Sequence, residues 1–98
     1  MSDIKWGDII TYESDDVKYI ILFRDWYKPY YGHINYFALY DGKDIYYKGT
    51  CFVMDVDLLR PATQEEKDLI LKLAADEGYT WNDDTKRLIG LYNKSEKI

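Results

Sequence analysis

The chain has 98 residues, 47% of them hydrophobic and 32% charged, and a net charge of −5 at pH 7. This composition is typical of one globular domain and argues against an intrinsically disordered chain. The negative charge disfavours duplex nucleic acid as a partner, because phosphate-backbone binding depends on clustered Lys and Arg side chains. It fits a basic protein partner, and it leaves open a nucleotide or single strand held by ring stacking.

Cysteine use and apolar runs predict where the protein works. Cys51 is the one cysteine, so no internal disulfide can form and a reducing compartment is expected. The first residues contain no apolar segment of the signal-peptide kind, and no apolar run approaches the ~20 residues that a membrane-spanning helix needs. We therefore predict a cytoplasmic protein that does not contact a membrane.

The first 60 residues predict a small antiparallel sheet. Runs of β-branched and aromatic residues bounded by polar turns are the usual strand signal. They occur at residues 9–12, 17–23, 33–40, 45–47 and 51–54. Asp41-Gly42 between two aromatic runs indicates a hairpin, whereas Pro29 and Gly32 indicate a loop over residues 25–32. Short strands with tight turns favour a strongly bent sheet, with an SH3-like barrel as the first expectation and an open sheet packed by a helix as the alternative.

The next 38 residues predict a helix followed by a short terminal hairpin. Thr63 and Glu66 have the spacing of a capping box, and Gly78 suits the left-handed residue that ends a helix, which places the helix at residues 64–77. One apolar stripe of this helix must face the sheet; its members are Leu69, Ile70, Leu73 and Ala74. We therefore predict one α+β domain over residues 1–98, mainly β in residues 1–60.

Residues 59–91 contain the pattern A-T-x-E-E-K … G-Y-x-W-N … T-K-x-L. The matching positions are Ala62, Thr63, Glu65, Glu66, Lys67, Gly78, Tyr79, Trp81, Asn82, Thr85, Lys86 and Leu88. This element resembles the C-terminal part of small, mostly uncharacterised proteins of bacteriophages and of bacteria that carry them. The resemblance covers about a third of the chain. It implies a phage-related context, in which small acidic proteins often bind and inhibit a host protein.

The strongest functional signal is the tyrosine content. Eleven residues are tyrosine, and nine of them lie between Tyr12 and Tyr47. The loop at residues 24–33 adds Trp and Arg, the side chains that dominate binding hot spots. We therefore predict non-catalytic recognition of a protein partner. The predicted binding residues are Arg24, Trp26, Tyr27, Lys28, Tyr30, Tyr31, His33, Tyr36 and Tyr40.

Other interpretations of the aromatic residues stay open. Trp26 and neighbouring tyrosines would instead cover the small core, since such domains need their large rings for burial. Tyr36 and Tyr40, which alternation places on one strand face with Tyr46 or Tyr47, would form a tyrosine platform for a nucleotide or small ligand. Cross-strand tyrosine pairs that only stabilise the sheet are the alternative to that platform. An exposed aromatic patch would also suit a homodimer.

No motif predicts catalysis, a metal or a cofactor. His33 has no neighbouring cysteine or second histidine, which argues against a transition-metal site. A catalytic pair of Cys51 with His33 has no supporting motif. Asp55 and Asp57 are expected to share a strand face, but carboxylates in turns chiefly bond the backbone. The sequence therefore predicts a binding domain with no catalytic residue, no metal ligand and no cofactor.

Overall fold

The computed structural model describes residues 4–27 and 32–90. Its seven strands are β1 (Ile9–Glu13), β2 (Lys18–Trp26), β3 (His33–Tyr40), β4 (Ile45–Phe52), β5 (Leu59–Pro61), β6 (Tyr79–Asn82) and β7 (Arg87–Gly90). One α-helix, α1 (Gln64–Asp76), lies between β5 and β6, and a 3-10 helix spans Val56–Leu58. The chain therefore has the predicted α+β class.

The main sheet has five antiparallel strands in the order β4-β3-β2-β1-β5, and β6 and β7 form a separate hairpin. The predicted antiparallel sheet, helix and second hairpin are thus confirmed. Within the described residues β4 and β5 pair with one neighbour each, so these strands do not close into a barrel. The edges of the sheet are β4 on one side and the three-residue β5 on the other.

The strands differ from the predicted ones mainly in β4, β2 and β5. The predicted segments at residues 45–47 and 51–54 are replaced by one strand, β4, which ends at Phe52 and continues through Lys48 although that residue has a positive φ (56°). Strand β2 continues to Trp26, into the predicted loop. Strand β5 was not predicted; it pairs with β1, with Leu59 opposite Tyr12. A proline at its end is tolerated because β5 is an edge strand.

The residues before β5 correct another prediction. Asp55 does not share a strand face with Asp57, because Asp55 caps the 3-10 helix and its carboxylate accepts a hydrogen bond from the Asp57 backbone N–H (3.0 Å). This is the backbone-bonding role that turn carboxylates usually have.

Both faces of the sheet are covered, so the molecule has two apolar clusters. The first cluster comprises Ile4, Ile10, Tyr12, Ile21, Phe23, Ile34, Tyr36, Leu39, Val53 and Leu59. The second cluster comprises Ile20, Leu22, Phe37, Ala38 and Ile70, with Leu71, Trp81 and Leu88 packed against it from the helix and the β6–β7 hairpin. Alternation along β2 distributes its residues to the two clusters in turn, as a strand buried on both faces requires.

A local irregularity in β3 changes which face its side chains occupy. Tyr36 lies opposite Phe23, whereas Ala38 lies opposite Leu22, so the register shifts around Phe37. Phe37 and Ala38, although consecutive, both belong to the second cluster. A bulge has this effect because its extra residue interrupts the alternation of side chains.

The helix is tied to the sheet at its first turn. The capping box predicted at Thr63 and Glu66 is present, and Gly78 has the expected positive φ (92°). The Glu66 carboxylate, only 7% exposed, lies at the centre of a larger network. It accepts hydrogen bonds from the Thr11 hydroxyl (2.8 Å) and from two nitrogens of Arg60 (2.9 Å each), and it lies 2.8 Å from Lys18 Nζ. One side chain therefore joins α1, β1, β2 and β5.

Candidate recognition surface

A cavity of about 310 Å³ is lined by residues of β2, β3 and β4, and four of these residues are aromatic; they are Tyr19, Tyr36, Tyr46 and Phe52. We call this cavity the aromatic groove. Leu39, which lies opposite Tyr46 in the register, and Cys51 complete its apolar lining. Tyr46 and Phe52 are 45% and 51% exposed. Large rings that remain this exposed on a small domain are available for binding.

The aromatic surface continues from Phe52 towards the β2–β3 connection. The rings of Phe52 and His33 have centroids 4.7 Å apart, and the His33 ring lies 6.2 Å from that of Tyr27. The backbone N–H of Tyr27 donates to the His33 carbonyl at 2.8 Å. This bond fixes the chain where β2 ends, so the three rings form an ordered extension of the aromatic groove.

One end of the aromatic groove carries a fixed negative charge. The pKa of Asp41 is lowered because the backbone N–H groups of Asp44 and Lys43 donate to its carboxylate. The Tyr46 hydroxyl also donates to Asp41, at 3.3 Å, and the nearby Asp41 charge raises the pKa of Tyr46. At neutral pH the groove therefore presents an ionised carboxylate beside a protonated phenol.

The turn between β1 and β2 adds acidic groups near Tyr19. Asp15 and Asp16 lie there around a shallow hollow that also contains Val17 and Leu58. Val17 and Leu58 are both more than a third exposed. The turns at this end of the sheet, β1–β2 and β3–β4, thus combine exposed apolar groups with carboxylates.

Cys51 lines the aromatic groove as an unreactive thiol. Burial raises its pKa to about 11. A thiol with this pKa is protonated at neutral pH, whereas catalytic cysteines work as thiolates. The geometry therefore gives Cys51 a packing role in the wall of the groove.

Alkylation of Cys51 by iodoacetamide should be slow. The pKa is about two units above the ordinary value of 9.0, so at pH 7.5 we expect a rate about 100-fold below that of a free cysteine peptide, because only the thiolate reacts. Mass spectrometry of quenched time points measures the rate, with the protein unfolded in guanidinium as the control. A folded-state rate equal to the unfolded one would contradict a buried thiol.

The predicted binding residues are distributed over several environments. Tyr36 lines the aromatic groove, and Tyr27 and His33 form its extension. Trp26 is half-buried and packs edge-on against Phe23, with ring centroids 5.3 Å apart, so its ring covers the first cluster. Arg24 lies beside Trp6 and does not line the aromatic groove. Lys28, Tyr30 and Tyr31 lie outside the described residues.

The prediction of a platform containing Tyr36 and Tyr40 is wrong. Tyr36 belongs to the first cluster and Tyr40 packs against the second, because the bulge at Phe37 interrupts the alternation of β3. Tyr47 stacks on Tyr79 of β6 at 4.1 Å instead of facing solvent as a platform would. Burial raises the pKa of Tyr47. The stacked pair of Tyr47 and Tyr79 therefore stabilises the contact between the sheet and the β6–β7 hairpin.

Tyr46 was predicted only as a possible member of the tyrosine platform, and two further aromatic residues of the groove, Tyr19 and Phe52, were not predicted to bind at all. Each stands in an apolar strand sequence, which is equally typical of core residues. Alternation along β2 places Tyr19 on the opposite face from the buried Ile20. It does not show which strand lies beside β2. The signal that unites these rings is the pairing of β2, β3 and β4, which is not local in sequence.

Searches for other chemistry and for relatives gave negative results. Across residues 4–27 and 32–90, no helix has the length and apolar character to cross a membrane. In the same part of the chain no three His, Cys, Asp or Glu side chains come together as metal ligands. Comparisons with protein-family models, with curated proteins and with solved structures gave no match.

Proposed function

We propose that this domain is a non-catalytic recognition domain that binds a protein partner through the aromatic groove. The observation that carries this proposal is the pair of exposed rings, Tyr46 and Phe52, at a preformed cavity beside an ionised carboxylate, Asp41. Aromatic side chains at concave sites supply large contact areas at low entropic cost. Hydrogen bonding of Tyr46 to Asp41 limits the rotamers of one ring before binding, which lowers the entropic cost of association.

The partner that fits this surface is a basic segment that also contains apolar side chains. Lys and Arg of the partner would lie over the faces of Tyr46 and Phe52, where cation–π contacts contribute about 0.5–2 kcal/mol each. Asp41, with Asp15 and Asp16 in the neighbouring turn, supplies complementary charge. The net charge of −5 favours encounter with such a partner over encounter with an acidic one.

An SH3-like barrel, incompletely closed, is the finer fold assignment within this proposal. It is supported by the return of β5 to β1 after the β1–β4 meander. It is also supported by the first cluster, which contains both Leu59 of β5 and Val53, the residue that follows β4. Domains of this kind bind extended peptides in aromatic-lined grooves, which is the mode we propose here.

The phage-related resemblance and the reducing compartment belong to the same proposal. An acidic domain with an exposed aromatic groove suits a cytoplasmic inhibitor that occupies the basic binding surface of a host protein. The resembling residues form the helix cap, the helix end and the β6–β7 hairpin. They support the framework, and the aromatic groove lies on other elements.

A displayed random peptide library, selected on the immobilised domain, tests the proposal. We expect selected peptides to be basic and to contain apolar residues. Phe52→Ala combined with Tyr46→Ala should weaken their binding at least about 30-fold, because the loss of even one hot-spot residue costs about 2 kcal/mol or more. Both side chains are about half exposed, so the thermal midpoint should change little. Fluorescence anisotropy of a labelled peptide measures the affinity.

The matched control is Leu69→Ala, which removes an exposed apolar side chain (40% exposed) from the helix. It should leave peptide affinity unchanged. Selected peptides that bind the double variant as tightly as the wild type would contradict recognition through the aromatic groove. A concentration-dependent dimer that the double variant loses would instead identify a second copy as the occupant, and it would contradict a separate partner.

A further inference from the structure

A second groove lies where the β6–β7 hairpin meets the sheet, and its walls carry three cations. Its volume is about 460 Å³, within the range of small-molecule sites. Arg24 of β2, Lys48 of β4 and Arg87 of β7 line it, together with the apolar side chains of Phe37 and Leu88. We call it the arginine groove. Positive side chains converge here on a protein whose net charge is −5.

Trp6 holds the two arginines in place. The Arg24 and Arg87 guanidinium carbons lie 5.6 and 5.5 Å from the Trp6 ring centroid. The indole is itself fixed, because its Nε1–H donates to the Lys86 carbonyl at 2.9 Å and its ring packs edge-on against Phe37 at 5.4 Å. Cation–π contacts to one fixed ring restrict the rotamers of both arginines, so the site is arranged before a ligand arrives.

The cations of the arginine groove have no ion-pair partner in the described part of the chain. Within residues 4–27 and 32–90, no carboxylate lies within 4.0 Å of a side-chain nitrogen of Arg24, Lys48 or Arg87. By contrast, Arg60 is paired with both Glu13 and Glu66. Three cations without carboxylate partners around one concavity favour occupation by an anion.

The polar wall of the arginine groove contains a hydrogen-bonded chain that runs from Thr50 through Asn35 to Asp25. Asn35 Nδ2 donates to Asp25 at 2.8 Å, and the Thr50 hydroxyl donates to Asn35 Oδ1 at 2.6 Å. Lys48 holds a left-handed backbone (φ 56°), which is costly for a residue with a side chain. Strained positions of this kind cluster at ligand sites.

We propose that the arginine groove binds a phosphorylated small molecule of nucleotide size. Arginine matches phosphate oxygens in a planar, bidentate geometry and is preferred where phosphate is recognised. Arg24 and Arg87 would bind the phosphate oxygens, and Lys48 would add a point charge. Phe37 and Leu88 give the organic part an apolar floor. This site shares Tyr36 with the wall of the aromatic groove, but the charged residues that define it are separate.

Calorimetric titration with pyrophosphate, adenosine diphosphate and adenosine, at matched ionic strength, tests this proposal. We expect both phosphate compounds to bind and adenosine not to bind. Tighter binding of the nucleotide than of pyrophosphate would show that the organic part contacts the groove. Arg24→Lys with Arg87→Lys retains the charge but loses the bidentate geometry, and it should weaken phosphate binding about tenfold or more. Lys43→Gln, in an exposed turn, is the control that removes one positive charge elsewhere on the surface.

The result that would overturn the proposal is phosphate binding weaker than about 1 mM to the wild type. Equal binding to the wild type and to the double lysine variant would also overturn it, because it would show attraction by charge alone. The double lysine variant keeps a cation at both positions beside Trp6, so it should fold, and thermal unfolding of the variant checks this. Neither outcome depends on whether the aromatic groove binds a protein.

Discussion

Replacement of Glu66 by alanine is expected to lower the free energy of unfolding by about 2–4 kcal/mol. The substitution leaves the buried hydroxyl of Thr11 without its acceptor and separates Arg60 from the helix. Arg60 and Lys18 are partly exposed and can turn to water, which keeps the loss below that of a fully buried ion pair. Urea unfolding followed by circular dichroism measures the change.

The same carboxylate makes stability depend on pH. Hydrogen bonds from Arg60, then from Lys18 and Thr63, hold the pKa of Glu66 well below its ordinary value of 4.5. A carboxyl group whose pKa is lower in the folded state stabilises the fold above its unfolded pKa and loses this contribution as the pH falls towards the folded pKa. We therefore expect the wild type to lose stability progressively below about pH 4.5, and Glu66→Gln to lose less over that range.

The control for both measurements is Glu65→Ala, which removes an exposed carboxylate from the same turn of the helix. It should cost only a few tenths of a kcal/mol, as expected for an exposed charge near a helix N-terminus. Equal effects of Glu65→Ala and Glu66→Ala would contradict a structural role for the buried network. So would an identical acid dependence of the wild type and Glu66→Gln.

Replacement of Ile70 by alanine should be about as destabilising, at about 2–5 kcal/mol. Ile70 is fully buried and is the one residue of α1 within the second cluster, where it packs with Ile20, Leu22 and Phe37. Its truncation leaves a cavity beneath the helix, and the rigid strands on the far side cannot collapse to fill it. Thermal unfolding of purified variants measures the effect.

Leu69→Ala is the matched control because it makes a similar change at the preceding residue of the same helix. Leu69 is 40% exposed, so we expect a loss of less than about 1 kcal/mol. If Leu69→Ala and Ile70→Ala destabilise equally, the helix does not pack against the sheet through Ile70 in the manner described.

Features determined by neighbouring residues could be predicted from sequence. The capping box at Thr63 and Glu66 and the helix end at Gly78 depend on backbone hydrogen bonds within a few residues, and both are present. Strand β3 begins and ends at the predicted residues, because the Asp41-Gly42 turn defines its end. In contrast, β5 has only three residues and exists through its pairing with β1, which no local pattern records.

The candidate site was predicted less well because its geometry depends on pairing between strands. Tyr27, His33 and Tyr36 were identified from their aromatic neighbourhood, and they do lie at or beside the aromatic groove. Tyr40 was assigned to the face of Tyr36 by simple alternation, and the bulge at Phe37 moves it to the other face. Phe52 enters the groove through the register of β4, which only the folded sheet defines.

Amide NMR mapping of a selected basic peptide bound to the domain is the most direct test of recognition through the aromatic groove. We expect the largest shift changes at residues lining that groove, including Tyr19, Tyr46 and Phe52, with the helix Gln64–Asp76 nearly unchanged. Changes confined to the helix or to the β6–β7 hairpin would place the peptide on another surface and contradict the proposed function.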